Sequence, residues 1–213
     1  MAANAPARLA RATRLRGIYA IVNEDSRTFE LAQAVLDAGV RVLQYRAKSG
    51  IVEAKVDALR RLAAAHDALL ILNDDWRAAA RFGCDGVHLG PGDDGFTNVF
   101  SVRDALPNGV IGLSCGSLAE VRAANACDID YVGAGSVYAT RSKGDAGAPI
   151  GLQGLRAIVR ACNVPIVAIG GIDVARIPEV KAAGAAMAAI ISAVAGATDP
   201  RLAAAALVEG WQR

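Results

Sequence analysis

The stretch Val164-Pro165-Ile166-Val167-Ala168-Ile169-Gly170-Gly171-Ile172 (VPIVAIGGI) decides how this chain is read. Its apolar half reads as a buried parallel strand, and the paired glycines leave the backbone bare where that strand ends. Glycine takes positive φ and lets a ligand approach the main chain closely. Asp173 offers an N-cap, so the helix that follows is expected to aim unpaired N–H groups at the same place, which makes an anion site. A second such turn follows at Ile190-Ile191-Ser192. In a (β/α)8 barrel these would be the turns after the last two strands, where the phosphate site of that fold is usually built.

Working outward, the same strand-then-helix unit recurs along the chain. Strands are predicted over 17–22, 40–46, 68–72, 85–89, 110–113, 129–133, 165–169 and 186–191. Helices are predicted over 27–38, 51–66, 76–82, 101–106, 118–126, 152–162, 174–183 and 200–211, with Gly39 closing the first of them. Eight units without a hairpin signal argue for a parallel sheet, and eight is the number that closes a barrel. The expected architecture is therefore α/β, a single-domain (β/α)8 TIM barrel over 17–213. An open doubly wound sheet is the alternative, but it would normally carry Gly-x-Gly-x-x-Gly near its start, and none is there. Residues 1–16 hold Arg8, Arg11, Arg14 and Arg16 and no acid. They read as a short helix or frayed leader, with a transit peptide as the alternative.

Composition bounds the function. The chain has 213 residues, 54% of them hydrophobic, enough for one domain with a sizeable core. A net charge of +2 and 5% aromatic residues give no basic, aromatic-studded stripe, which argues against nucleic acid. No apolar run reaches the roughly 20 residues needed to cross a membrane. Cys84, Cys115, Cys127 and Cys162 form no Cys-x-x-Cys pair and match no zinc spacing, so they read as reduced thiols of a cytoplasmic protein. Cys115 is expected in a loop beside Ser114.

The polar residues gather at strand ends. Gln44, Arg46 and Lys48 alternate in LQYRAK, and a period of two turns all three to one side, the interior and upper rim of a barrel. Asn73 and Asp74 end strand three, and Asp93 and Asp94 lie just past strand four. Asp74 and Asp93 could converge on one hard cation, since two carboxylates with substrate phosphates and water suit Mg²⁺. Asp75 fits the cap of the next helix better than Asp74 does. Thr140, Ser142 and Lys143 stand in a long loop after strand six, over 135–150, of a kind that suits phosphate or diphosphate. Arg46, Lys48, Lys143 and a metal are too much positive charge for one monophosphate. They fit a diphosphate, with a separate monophosphate at Gly170, Gly171 and Ser192. His88 reads as a hydrogen-bonded core histidine, and His66 as a solvated helix end. With no nucleophile–base pair in sight, the pattern suits chemistry in which a leaving group departs and the protein stabilises charge.

Taken in order, these motifs resemble thiamin phosphate synthase. The matches are LQYRAK (Leu43 to Lys48), ILND (Ile71 to Asp74), GVHLG (Gly86 to Gly90) with Asp93, IGLS (Ile111 to Ser114) and DYVGAG (Asp130 to Gly135). They continue through the Thr140 to Lys143 loop, VPIVAIGGI and the Ile190-Ile191-Ser192 turn. The resemblance implies an Mg²⁺-dependent transferase. Hydroxymethylpyrimidine diphosphate would lose pyrophosphate, and the nitrogen of a thiazole phosphate would capture the resulting pyrimidine cation. It implies Gln44 on the pyrimidine, and Arg46, Lys48, Asn73 and Lys143 on the diphosphate. Asp74 and Asp93 would hold the metal and Ser114 would stand near the leaving group. Thr140, Ser142, Gly171, Ile191 and Ser192 would hold the thiazole phosphate. Arg46, Ser114 and Lys143 would act on the bond that breaks.

There are departures: Pro91-Gly92 precedes Asp93 where the family usually has Gln-Glu, Gly135-Ser136 replaces a Gly-Pro, Ala139 a proline and Ser142 a threonine. Cys115-Gly116 replaces the region of a common histidine. A thiazole tautomerase, a sugar-phosphate isomerase or epimerase, and a thiazole-phosphate-binding paralogue without turnover are the competing readings. The oligomeric state is open, with a homo-oligomer among the choices.

Overall fold

Period-two alternation along short apolar strands sends one row of side chains inward and the other outward, and that alternation builds the molecule. The computed structural model describes residues 5–140 and 148–213. Ser142 and Lys143 lie outside them. The strands are β1 (Gly17–Asn23), β2 (Val42–Arg46), β3 (Leu69–Asn73), β4 (Gly86–Leu89), β5 (Val110–Cys115), β6 (Tyr131–Gly135), β7 (Ile166–Ile169) and β8 (Met187–Ile190). They run parallel in a closed barrel in chain order, β1 pairing with both β2 and β8. The expected (β/α)8 barrel is therefore the observed one. Helices α1 (Ala5–Ala12), α2 (Thr28–Asp37), α3 (Glu53–Ala65), α4 (Trp76–Arg81) and α5 (Val99–Ala105) come in the first half. Helices α6 (Leu118–Ala124), α7 (Gly151–Ala161), α8 (Ile177–Ala182), α9 (Ser192–Ala195) and α10 (Pro200–Gln212) come in the second.

The alternation gives two cores. Val42, Leu69, Ile71, Val110, Val167 and Met187 fill the barrel with Tyr19 and Tyr131. The outward rows, among them Leu43, Leu70, Leu72, Ile111 and Val132, pack against the helices. The many alanines of α2 and α10 let those two helices lie close to each other and to β1.

Local chemistry sets the helix starts. Asp75 caps α4 by accepting from Ala78 N at 2.8 Å, as expected from the sequence. Ser117 and Glu120 form a capping box on α6. α5 starts at Val99, two residues before its predicted start, because Asn98 supplies the cap. The helix predicted over 174–183 begins as a single 3-10 turn, Val174–Arg176, capped by Asp173. The α-helix then starts at Ile177-Pro178, where proline is suited to a first turn.

Residues 5–16 close the end of the barrel from which the strands start. Leu15 is buried in the barrel core. Arg8 pairs with Asp128 and Asp130 at 2.7 Å each, Arg11 with Asp85 at 2.9 Å, and Arg14 with Asp67 at 3.0 Å. Each of these acids precedes or closely adjoins the start of a strand, so the arginines tie α1 across the barrel floor.

One glycine in the barrel makes the interior possible. Gly112 is registered opposite Tyr131, and a Cβ there would stand 2.1 Å from the tyrosine ring. Gly112→Ala is expected to destabilise the protein by about 1–3 kcal/mol through overpacking. A urea denaturation series checks this. Coupling in a cycle with Tyr131→Leu should recover part of the loss, and additive losses would place the strain elsewhere.

Candidate active site

The end of the barrel opposite α1 opens into a cavity. Gln44 and Arg46 reach it from β2, Asn73 from β3, Ser114 from β5, Thr140 from the loop after β6, Gly171 from the β7 turn, and Ile191 and Ser192 from the β8 turn. All eight are residues singled out from the sequence, and the barrel brings them to one place. Arg46 is half-buried, with Nη1 3.3 Å from Asn23 Oδ1. Lys48 is more exposed and stands at the rim, its Nζ 2.7 Å from Asp74 Oδ2. Its charge is thus shared with a carboxylate in this structure.

Asp74 and Asp93 come together as the sequence suggested. Asp74 sits at φ 68°, which turns it off the end of β3, and its N–H donates to the His88 carbonyl at 2.9 Å. Asp93 belongs to a tight turn: its N–H donates to Gly90 O at 3.1 Å, and its Oδ2 accepts from Gly90 N at 2.6 Å. Gly92, at φ 90°, takes the sharp corner, so Pro91-Gly92 folds Asp93 back toward Asp74 instead of carrying it away. The two carboxyls lie close enough to influence each other's ionisation. Burial and then the neighbouring Asp74 push the Asp93 carboxyl up. Burial opposes ionisation of Asp74 too, but the adjoining Asp93 carboxyl and the Lys48 ammonium outweigh it and hold that carboxyl down. Two carboxyls, one opposing the other's ionisation, mark a place where a cation would serve both. This donor set of hard oxygens fits Mg²⁺, which commonly takes one or two carboxylates plus substrate phosphates.

The opposite wall is built of backbone. Gly170 and Gly171 adopt φ of 103° and 64°. The strand after Gly135 keeps pairing with this turn, since Val137 N donates to Ile169 O at 2.8 Å and Tyr138 N to Gly170 O at 3.1 Å. A Cβ on Gly171 would meet Ala139 O at 2.6 Å, so only glycine fits between turn and loop. Across the foot of the long loop, Ile150 N donates to Ser136 O and Gly151 N to Val137 O. Ser192 opens the single turn of α9, an element absent from the sequence reading.

Several lining residues escaped that reading. Tyr19, His88 and Tyr131 face the cavity from inside the barrel; Glu120 borders it from the exposed first turn of α6, its carboxylate accepting from Gly116 N and, at 3.2 Å, from Ser117 N. The alternation Tyr19-x-Ile21 and Tyr131-x-Gly133 was the available signal for the tyrosines. His88 is hydrogen-bonded, as expected, yet its ring borders the cavity instead of lying in a closed core. Cys115 also differs from its expected place. It is the last residue of β5, not a loop residue, and it is buried. Burial, with Glu120 nearby, pushes its thiol up to about 12, so it is no nucleophile at neutral pH.

A closed barrel with cationic side chains on one wall of its mouth and glycine turns on the other defines a phosphate-handling (β/α)8 protein. Comparison with known proteins narrows the class. The model of the family described as thiamine monophosphate synthase matches residues 18–194. The chain belongs to that family. It is 42% identical over 183 residues to the thiamine-phosphate synthase of Archaeoglobus fulgidus, covering 84% of this chain and 85% of that one. It is 44% identical over 188 residues to the bifunctional ThiM/ThiE thiamine biosynthesis protein of Symbiobacterium thermophilum, covering 86% of this chain but only 38% of that longer protein. The solved thiamine phosphate pyrophosphorylase from Pyrococcus furiosus superposes with a TM-score of 0.81 at 34% identity, covering 94% and 98% of the two chains. Among the described residues no helix is long and apolar enough to cross a membrane.

Proposed function

We propose that this chain joins hydroxymethylpyrimidine diphosphate to a thiazole phosphate, giving thiamin phosphate and pyrophosphate. The observation that carries the reading is the two-walled cavity. Arg46 and Asn73 from β2 and β3 face the turns of β7 and β8, with Ser114 between them. One wall suits a diphosphate and the other a monophosphate.

The residues then divide the work. Arg46, Lys48 and Asn73 bind the diphosphate, together with Lys143 from outside the described residues. Gln44 meets the pyrimidine and Ser114 the region of the breaking bond. The C–O bond breaks with its electron pair leaving on pyrophosphate, and Arg46 neutralises the charge that appears there. The thiazole nitrogen then donates its pair to the pyrimidine methylene carbon. Thr140, Ser142, Gly171, Ile191 and Ser192 hold the acceptor's phosphate and so set where that nitrogen stands. Asp74 and Asp93 would hold Mg²⁺, which supplies charge neutralisation at the diphosphate when bound. No side chain has to act as nucleophile, which agrees with the buried, unactivated Cys115.

Incubating the protein with both substrates and Mg²⁺ is expected to release pyrophosphate, and a chelator should stop the release. Binding of thiazole phosphate without any release would instead identify a non-catalytic relative. As pH falls through the raised range of Asp93, a divalent ion must displace a proton from it, so Mg²⁺ affinity is expected to fall with pH there. Isothermal titration across a pH series measures this, and an affinity independent of pH would remove the carboxyl pair from the site.

A further inference from the structure

Five polar side chains from five strands form one hydrogen-bonded chain beneath the cavity. Gln44 Nε2 is 2.8 Å from Tyr19 Oη, which is 3.0 Å from Tyr131 Oη. Tyr131 Oη is 3.2 Å from His88 Nδ1, and His88 Nε2 is 2.9 Å from Ser114 Oγ. The His88 and Tyr131 rings stack with centroids 5.5 Å apart, and both tyrosines are buried. Gly112 and Gly133 leave the room that these two rings occupy. The proposed reaction uses the two ends, Gln44 and Ser114. It gives no task to the three residues between them.

The chain has a sense. Each hydroxyl owns one hydrogen, and a neutral imidazole carries one N–H. Gln44 turns its Nε2 to Tyr19, so Tyr19 accepts from it and gives its own hydrogen to Tyr131. Tyr131 then donates to His88 Nδ1, which leaves the imidazole hydrogen on Nε2, donated to Ser114. Ser114 is thereby used as an acceptor from below, and its hydrogen is directed into the cavity. Gln44 likewise presents Oε1. Reversing a single link would set two buried hydrogens, or two lone pairs, against each other, which is costly away from water. The links therefore reverse together or not at all.

We propose that Tyr19, Tyr131 and His88 are positioning residues that hold Gln44 as an acceptor and Ser114 as a donor toward the pyrimidine end of the substrate. This rests on the function proposed above and deepens it. A ring that carries an amine where Gln44 meets it is accepted. A ring with an oxo group there sets oxygen against oxygen, and the amide cannot turn over alone to relieve the clash. Selection of the ring is thus exerted by tyrosines lying beneath the residue that touches it.

Two measurements on the full chain test this. The sequence has two histidines, His66 and His88. Nitrogen NMR of imidazole-labelled protein, assigned with His66→Gln, therefore reads His88 directly at a pH where the ring is neutral. The wild type is expected to carry its proton on Nε2, and Tyr131→Phe to show a mixture of both tautomers. A proton on Nδ1 in the wild type, or an unchanged tautomer in Tyr131→Phe, overturns the proposal. In kinetics, Tyr19→Phe keeps the ring but frees the amide. Its kcat with the amino substrate should fall about tenfold with the KM for thiazole phosphate unchanged. Its preference for an amino- over an oxo-pyrimidine diphosphate should shrink by about tenfold, the scale for loss of a supporting hydrogen bond. An unchanged preference overturns the proposal, as does a rise in both KM values with the preference kept, which would assign the tyrosine to packing. If the wild type releases no pyrophosphate, the proposed function fails while the NMR result still decides the sense of the chain.

Discussion

Arg46→Ala is expected to lower kcat by on the order of 10²–10³, with little change in the KM for thiazole phosphate. The guanidinium stands at the end of β2, on the wall away from the glycine turns, with Asn23 steadying one nitrogen at 3.3 Å. Its planar fork can meet two phosphate oxygens at once. Charge builds on the diphosphate as the bond breaks, so this contact strengthens on the way to the transition state, and such contacts are what raise kcat. Arg46→Lys should fall between, because it keeps the charge and loses the fork. Steady-state rates of pyrophosphate release check both, and an alanine variant at the wild-type kcat would take Arg46 out of the bond-breaking step.

Asp130→Ala carries the largest expected cost in stability, about 3 kcal/mol, the scale for breaking a buried ion pair by removing one partner. Asp130 is buried just before β6. Its Oδ1 accepts from Arg8 Nε at 2.7 Å, and its Oδ2 from Arg103 Nη2 at 2.7 Å and from Ile111 N at 2.8 Å. Alanine would remove the buried acceptor shared by two guanidinium groups, which keep only their contacts to Asp128 and nearby carbonyls, and would take the side-chain acceptor from a strand N–H. Arg8→Ala should cost less, about 1 kcal/mol, because its carboxylate partner keeps the other two donors. Equilibrium urea unfolding reads both. The double variant should cost less than the sum, and a wild-type midpoint for Asp130→Ala would show that the floor is held by packing alone.

Much of the architecture was written in short-range pattern. The eight strands are legible because apolar runs of four to seven residues recur between helical stretches, and periodicity is a local signal. Arg46, Asn73, Ser114 and Ser192 were legible for a related reason. A parallel barrel puts every strand end at one mouth, so polar residues at those ends must meet. The chain from Gln44 to Ser114 was not legible, since its links join residues 25, 112, 43 and 26 positions apart. No local pattern encodes which tyrosine hydroxyl meets which. The same holds for the floor: arginines spaced three apart suggested an amphipathic or targeting segment, and their acids lie between Asp67 and Asp130. Two smaller errors, the loop position of Cys115 and the start of α5, arose at element ends, where one cap decides the boundary.

The ties between α1 and the barrel floor also bear on how the chain is made. α1 is synthesised before every acid it pairs with, and β1 before its neighbour β8. The ribosome thus delivers Leu15 and three arginines long before their sites exist, and contacts of such long sequence separation slow folding. A nascent chain arrested before Asp130 should leave this segment open to a protease or a chaperone, whereas the finished protein shields it.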